Sequence, residues 1–128
     1  MRDQDEHPGM RPFKGNQAVV DLIRSIAGSA CAKQTMVIYT YDEYGGAWDH
    51  VPPPGQGRVP GPHDQWGPGA RIPAIIISPL LRRDFVVDHT PYDTTSILAT
   101  IERRFGLPSL GSRDAQVNDL SGVLARGG

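Results

Sequence analysis

Thirteen of the 27 positions from Tyr44 to Ala70 are glycine or proline. Such a stretch is a poor helix or interior strand, because ordering glycine costs extra entropy and proline lacks a backbone donor. The rest of the chain has an ordinary glycine and proline content, so a loop-rich insert, residues 44–70, divides an otherwise globular sequence. At 128 residues a single domain over residues 1–128 is expected. The balance of 13 Lys and Arg against 14 Asp and Glu excludes a generic binder of nucleic acid or another polyanion. The longest apolar run, around Ala74 to Ile77, is far short of the roughly 20 residues that cross a bilayer. The N-terminal MRDQDEHPGM lacks the basic start and apolar stretch of a secretory signal, which leaves a cytoplasmic chain or a leader further upstream. The one cysteine, Cys31, has no internal disulfide partner and reads as a packing residue.

Apolar spacing sets the expected elements. Val19, Leu22, Ile23 and Ile26 share one face of a helix from Asn16 to about Ala30. The β-branched and aromatic run Thr35 to Tyr41 reads as a buried strand, and Ile72 to Ser78 as a second, with Pro73 at its start. Phe85 to Val87 is a candidate third strand. A helix capped by Thr94 or Thr95 runs to about Phe105, with Ile97, Leu98, Ile101 and Phe105 inward, and Gly106 and Pro108 stop it. The remainder, from Ser109, is expected to hold at most a short helical turn. This order implies an α/β fold, a sheet packed by helices and interrupted by a long Gly/Pro-rich loop.

In open α/β sheets ligands gather at the carboxyl ends of strands, where Asp42 and Glu43 stand. Adjacent carboxylates suit a hard divalent cation, since the ion relieves their mutual repulsion. The alternative is a pair of turn formers on a solvated edge. Gly45 and Gly46 permit a sharp turn, and Asp49 and His50 add a carboxylate and an imidazole to the same loop. His7, His63 and His89 are each open to reading as ligand, general acid or loop-packing residue. Ser78 lacks the strand-to-helix setting of a nucleophile. Arg71 is positioned to meet a phosphate or to pair with the acids, and its spacing favours a salt bridge. Arg82–Arg83 and Arg103–Arg104 read as solvated pairs.

Two longer patterns go further. Residues 42–51, DEYGGAWDHV, fit DExxGxxDHV, and residues 69–79, GARIPAIIISP, fit GxRxPxxxxSP. With DQDEHP before the first helix, the TYDTTSIL-like run at Tyr92 to Leu98 and RDA at Arg113 to Ala115, they resemble the C-terminal portion of the catalytic domain of the phosphoesterase family. That family includes non-specific phospholipase C and bacterial acid phosphatases. The resemblance implies an alkaline-phosphatase-like layered fold and metal-assisted hydrolysis of a phospholipid or small phosphomonoester. It makes Asp42 and Glu43 ligands of a divalent metal ion, His7 the catalytic pocket histidine, and Asp49, His50, Arg71 and His89 substrate-binding or orienting residues.

The family's ENRSFDH-like and TxPNR-like motifs, which supply a Glu, an Asn and the nucleophile, do not occur in the sequence. No nucleophile is therefore identified, and the expectation is a truncated domain. Besides an active phosphoesterase, a non-catalytic remnant that binds metal, phosphate or a partner is open, as is another hydrolase activity on the same scaffold. A remnant would tend to self-associate, because strands meant to be central become edges. Members of the family are often secreted or periplasmic.

Overall fold

A computed structural model describes residues 14–54, 67–81 and 87–124. They form a small mixed α/β structure with a two-stranded sheet and three helices. The chain divides into two compact units, Met1–Trp48 with Ile72–Leu80, and Asp49–Arg71 with Leu81–Gly128.

In the first unit, α1 spans Lys14–Ala27. Val19, Ile23 and Ile26 are half-buried, but Leu22 stays exposed, so the inner stripe is narrower than its spacing suggests. The helix ends where Gly28 N–H donates to Arg24 O at 2.9 Å and Ser29 closes onto Ile26 O. Cys31 follows it and is exposed, which removes the packing role expected of it. After a 3-10 turn over Ala32–Gln34 comes β1, Val37–Thr40. It pairs antiparallel with β2, Ala74–Ile77, in the register Val37↔Ile77 to Thr40↔Ala74.

Both strands occupy their expected places, yet neither is fully buried. β1 is half-buried throughout and β2 mostly exposed. A strand in a two-stranded ribbon is covered far less than one inside a larger sheet. Pro73 lies just before β2, where its missing donor costs nothing and its carbonyl accepts from Thr40 Oγ1 at 2.9 Å. The antiparallel register also corrects the argument from strand ends. The carboxyl end of β1 lies beside the amino end of β2, so the two strands do not deliver residues to one common edge.

In the second unit, α2 spans Ser96–Phe105. Its start is secured by Asp93 rather than by Thr94 or Thr95. The Asp93 carboxylate accepts from Thr95 N–H at 2.7 Å, and Asp93 N–H donates to Ser96 Oγ at 3.0 Å, a reciprocal cap. Its end is the expected one: Gly106 adopts φ 65° and Leu107 N–H reaches Glu102 O at 2.8 Å. The face turned inward is the surprise. Ser96, Ala99 and Glu102 are buried and Ile97 is half-buried, while Leu98, Ile101 and Phe105 are exposed.

The reason lies in what α2 meets. Helix α3, Ser112–Gln116, and a 3-10 turn over Leu120–Val123 pack against it. They are joined to α2 by polar contacts: Leu120 N–H to Thr100 Oγ1 at 2.9 Å, and Arg103 to both Asp119 and the Val117 carbonyl. Small and hydrogen-bonding side chains therefore take the interior places beside Val117 and Leu120. The tail is more ordered than its polarity suggests, and Arg103, exposed as expected, also braces it through Asp119 and Val117. Of the candidate third strand, residues 85 and 86 lie outside the described residues, and Val87 is in no strand.

Candidate functional site

Asp42 and Glu43 follow β1 directly and are exposed. The turn after them is closed by Ala47 N–H donating to Tyr44 O at 3.1 Å. Its central residues, Gly45 and Gly46, have φ of 66° and 71°, the left-handed pair that a type I′ turn needs and that glycine supplies without strain. Glu43 Oε2 accepts from Gly45 N–H at 2.6 Å, which anchors one carboxylate oxygen to the turn. Asp42 makes no hydrogen bond or ion pair with the described residues. Among those residues no group of three or more His, Cys, Asp and Glu side chains is placed to hold a metal ion. The pair still offers hard oxygen donors, with Asp42 unengaged and one Glu43 oxygen outside the turn, and so fits as part of a divalent cation's shell.

In the second unit Asp49 is in a different situation. Its side chain retains 14% exposure and accepts four hydrogen bonds. Arg71 Nε donates to Oδ2 at 2.8 Å and Nη2 to Oδ1 at 2.9 Å, a two-pronged contact, and the main-chain N–H groups of Val51 and Arg71 complete the set. The Arg71 hydrogen bonds hold the Asp49 carboxyl well below its ordinary range, with the Val51 N–H next in effect. Asp49 in turn raises Arg71. The salt bridge favoured by spacing is present, with Asp49 as its acid. His50 Nδ1 lies 3.9 Å from Asp49 Oδ1 with an exposed ring. The structure thus brings Asp49, His50 and Arg71 together.

His89 is exposed and makes no hydrogen bond with the described residues. Its neighbour Asp88 accepts from Thr90 N–H at 2.8 Å and from the Tyr92 hydroxyl at 2.9 Å. Contacts with Thr90, then Tyr92, lower the Asp88 carboxyl, and burial foremost raises Tyr92. His7 and His63 lie outside the described residues.

One anchoring residue was not singled out by spacing. Arg113 of α3 donates to the Gly67 carbonyl at 2.9 Å and lies 3.8 Å from Asp93. It therefore fastens the segment that carries Arg71 back from the loop. A separation of 46 residues leaves no local periodic trace, and only the RDA resemblance drew attention to it.

The model of the Phosphoesterase family matches residues 1–108. The chain belongs to the Phosphoesterase family. Non-specific phospholipase C6 of Arabidopsis thaliana is 33% identical, over 94% of this chain and 27% of its own length. Phospholipase C B of Mycobacterium tuberculosis is 37% identical, over 93% of this chain and 27% of its own. Non-specific phospholipase C1 of Arabidopsis thaliana is 33% identical, over 87% and 24%. This phosphoesterase chain thus spans about a quarter of the length of the curated relatives it matches. No described helix is long and apolar enough to cross a membrane.

Proposed function

We propose that the chain carries part of the site for metal-assisted hydrolysis of phosphate esters, a phospholipid or a small phosphomonoester, within an alkaline-phosphatase-like layered fold. The observation that carries this reading is the exposed Asp42–Glu43 pair on a type I′ glycine turn, in a chain of the Phosphoesterase family. Asp42 and Glu43 would hold a divalent cation, which when bound polarises a phosphoryl group and favours attack on it. Asp49 occupies Nε and Nη2 of Arg71, and among the described residues Nη1 has no partner. Arg71 is thereby held in one orientation with a donor for a phosphate oxygen. His50 and His89, both exposed, are proposed to orient the ester. His7 is proposed as the pocket histidine that binds the phosphoryl group or protonates the leaving group, and the nucleophile is left unassigned.

The test is release of p-nitrophenol from p-nitrophenyl phosphate by the purified chain, with calorimetry of Mn²⁺ and Mg²⁺ binding alongside. Turnover that needs the cation and is abolished by Asp42→Ala supports the reading. Cation binding without turnover replaces it with a non-catalytic binding role, and absence of both overturns the assignment of Asp42 and Glu43.

A further inference from the structure

Two buried carboxyl groups in the second unit play no part in the proposed chemistry. Glu102 of α2 is 6% exposed and Asp114 of α3 is 5% exposed. Both converge on the Leu110 N–H, Glu102 Oε1 at 3.3 Å and Asp114 Oδ2 at 2.6 Å, while Asp114 Oδ1 takes the Gly111 N–H at 2.9 Å. Because both accept from the same N–H, the two carboxyl groups lie side by side. Two carboxylate anions so close in a buried place repel each other, which favours one of them keeping a proton.

The surroundings decide which group keeps the proton. Asp114 accepts two main-chain N–H groups at short range, a setting that favours its charged form, whereas Glu102 has one main-chain N–H, long and shared, and a smaller downward pull from the Ser109 side chain. Burial, then the neighbouring Asp114, pushes the Glu102 carboxyl up from its ordinary value. For Asp114 burial pushes upward too, but the hydrogen bonds from Glu102, Leu110 and Gly111 bring it below its ordinary value. The other charged groups on the elements packed around α2 have partners of their own. Arg113 lies by Asp93 and the Gly67 carbonyl, and Asp119 takes Arg103 at 2.8 Å. On α2 itself, Arg104 lies over the Phe105 ring.

We propose that Glu102 and Asp114 share one proton in a carboxyl clasp fastening α3 to α2, and that losing this proton in alkali releases α3 and its hold, through Arg113, on the limb from Gly67 to Arg71. The clasp stands on its own geometry; only its bearing on phosphate-ester hydrolysis rests on the proposed function. A raised folded-state Glu102 contributes stability that is complete below its unfolded value and is lost as pH rises through its folded value. A lowered Asp114 contributes stability present above its unfolded value and lost as pH falls through its folded value. The clasp is therefore tightest in mild acid, around the ordinary carboxylate range, and loosens upward.

The experiment is amide hydrogen exchange of the chain from about pH 5 to about pH 9, corrected for intrinsic exchange, together with a carbon-13 titration of the Glu102 carboxyl. The expected result is a Glu102 titration above the ordinary carboxylate range. Protection of the α3 amides and of Arg71 N–H should fall together, by tenfold or more, across that titration. Glu102→Gln, which keeps a donor but cannot titrate, should make both protections independent of pH. Arg113→Lys should leave the Glu102 titration in place and uncouple Arg71 N–H from it. A Glu102 titration in the ordinary range overturns the clasp without need of any variant, and an unchanged pH dependence in Glu102→Gln does the same. Loss of cation binding with the clasp intact counts against the proposed function alone.

Discussion

Asp42 and Asp49 stand seven residues apart in one motif, and they are treated in opposite ways. Asp42 is exposed and engages none of the described residues, whereas Asp49 spends both oxygens on Arg71 and on two main-chain N–H groups. The same side chain is thus left available in one place and committed in the other. An available carboxylate costs the fold nothing to give to a ligand. A committed one fixes its partner's orientation, and taking it for a ligand would break four hydrogen bonds first.

The contrast can be broken at several points. The largest effect belongs to Asp42→Asn, which should weaken cation binding more than about 100-fold, beyond what loss of an outer-shell contact costs, and leave the thermal midpoint unchanged. Calorimetry and a melting curve check both halves, and a lowered midpoint would place Asp42 with the structural acids. Next is Asp49→Asn, which should lower the thermal midpoint and free Arg71. Because Asp49 is lowered when folded, its contribution is present above its unfolded value and lost as pH falls through the folded one. The destabilisation should therefore be visible at neutral pH and in mild acid and should shrink in strong acid, a profile that melting curves across pH report. The smallest effect is that of Gly46→Ala. Nothing lies within 4 Å of the added methyl, but φ is 71°, so strain alone should cost about 1 kcal/mol, measured by denaturant titration. A larger loss would mean that the turn is held by more than its own backbone.

Apolar spacing located α1, β1, β2 and α2 to within a few residues, since that periodicity is written locally. It misplaced what depends on distant partners. The antiparallel register joins strands across a connection of more than thirty residues, and nothing in Thr35 to Tyr41 specifies it. Spacing turns Ile97, Leu98, Ile101 and Phe105 of α2 inward; Ile97 is half-buried, but the other three are exposed and Ser96, Ala99 and Glu102 are buried, with Ser96 bonded by Asp93 N–H and Glu102 by Leu110 N–H. The cap at Asp93 was missed for a smaller reason. Thr94 and Thr95 are equally good capping types, and only geometry shows which oxygen reaches the free N–H. At the candidate site, the motif residues were legible as a group, while the division between the free Asp42 and the bound Asp49 required the position of Arg71.

The reversed face of α2 also has a calorimetric consequence. Leu98, Ile101, Phe105, Leu107 and Leu110 already meet water over much of their surface in the native chain, so unfolding this segment adds less new hydration of hydrocarbon than its side chains would if buried. Its share of the heat-capacity increment should fall below the about 12–15 cal/mol/K per residue common to globular proteins. The stability of this segment is correspondingly flatter with temperature than its leucine content implies.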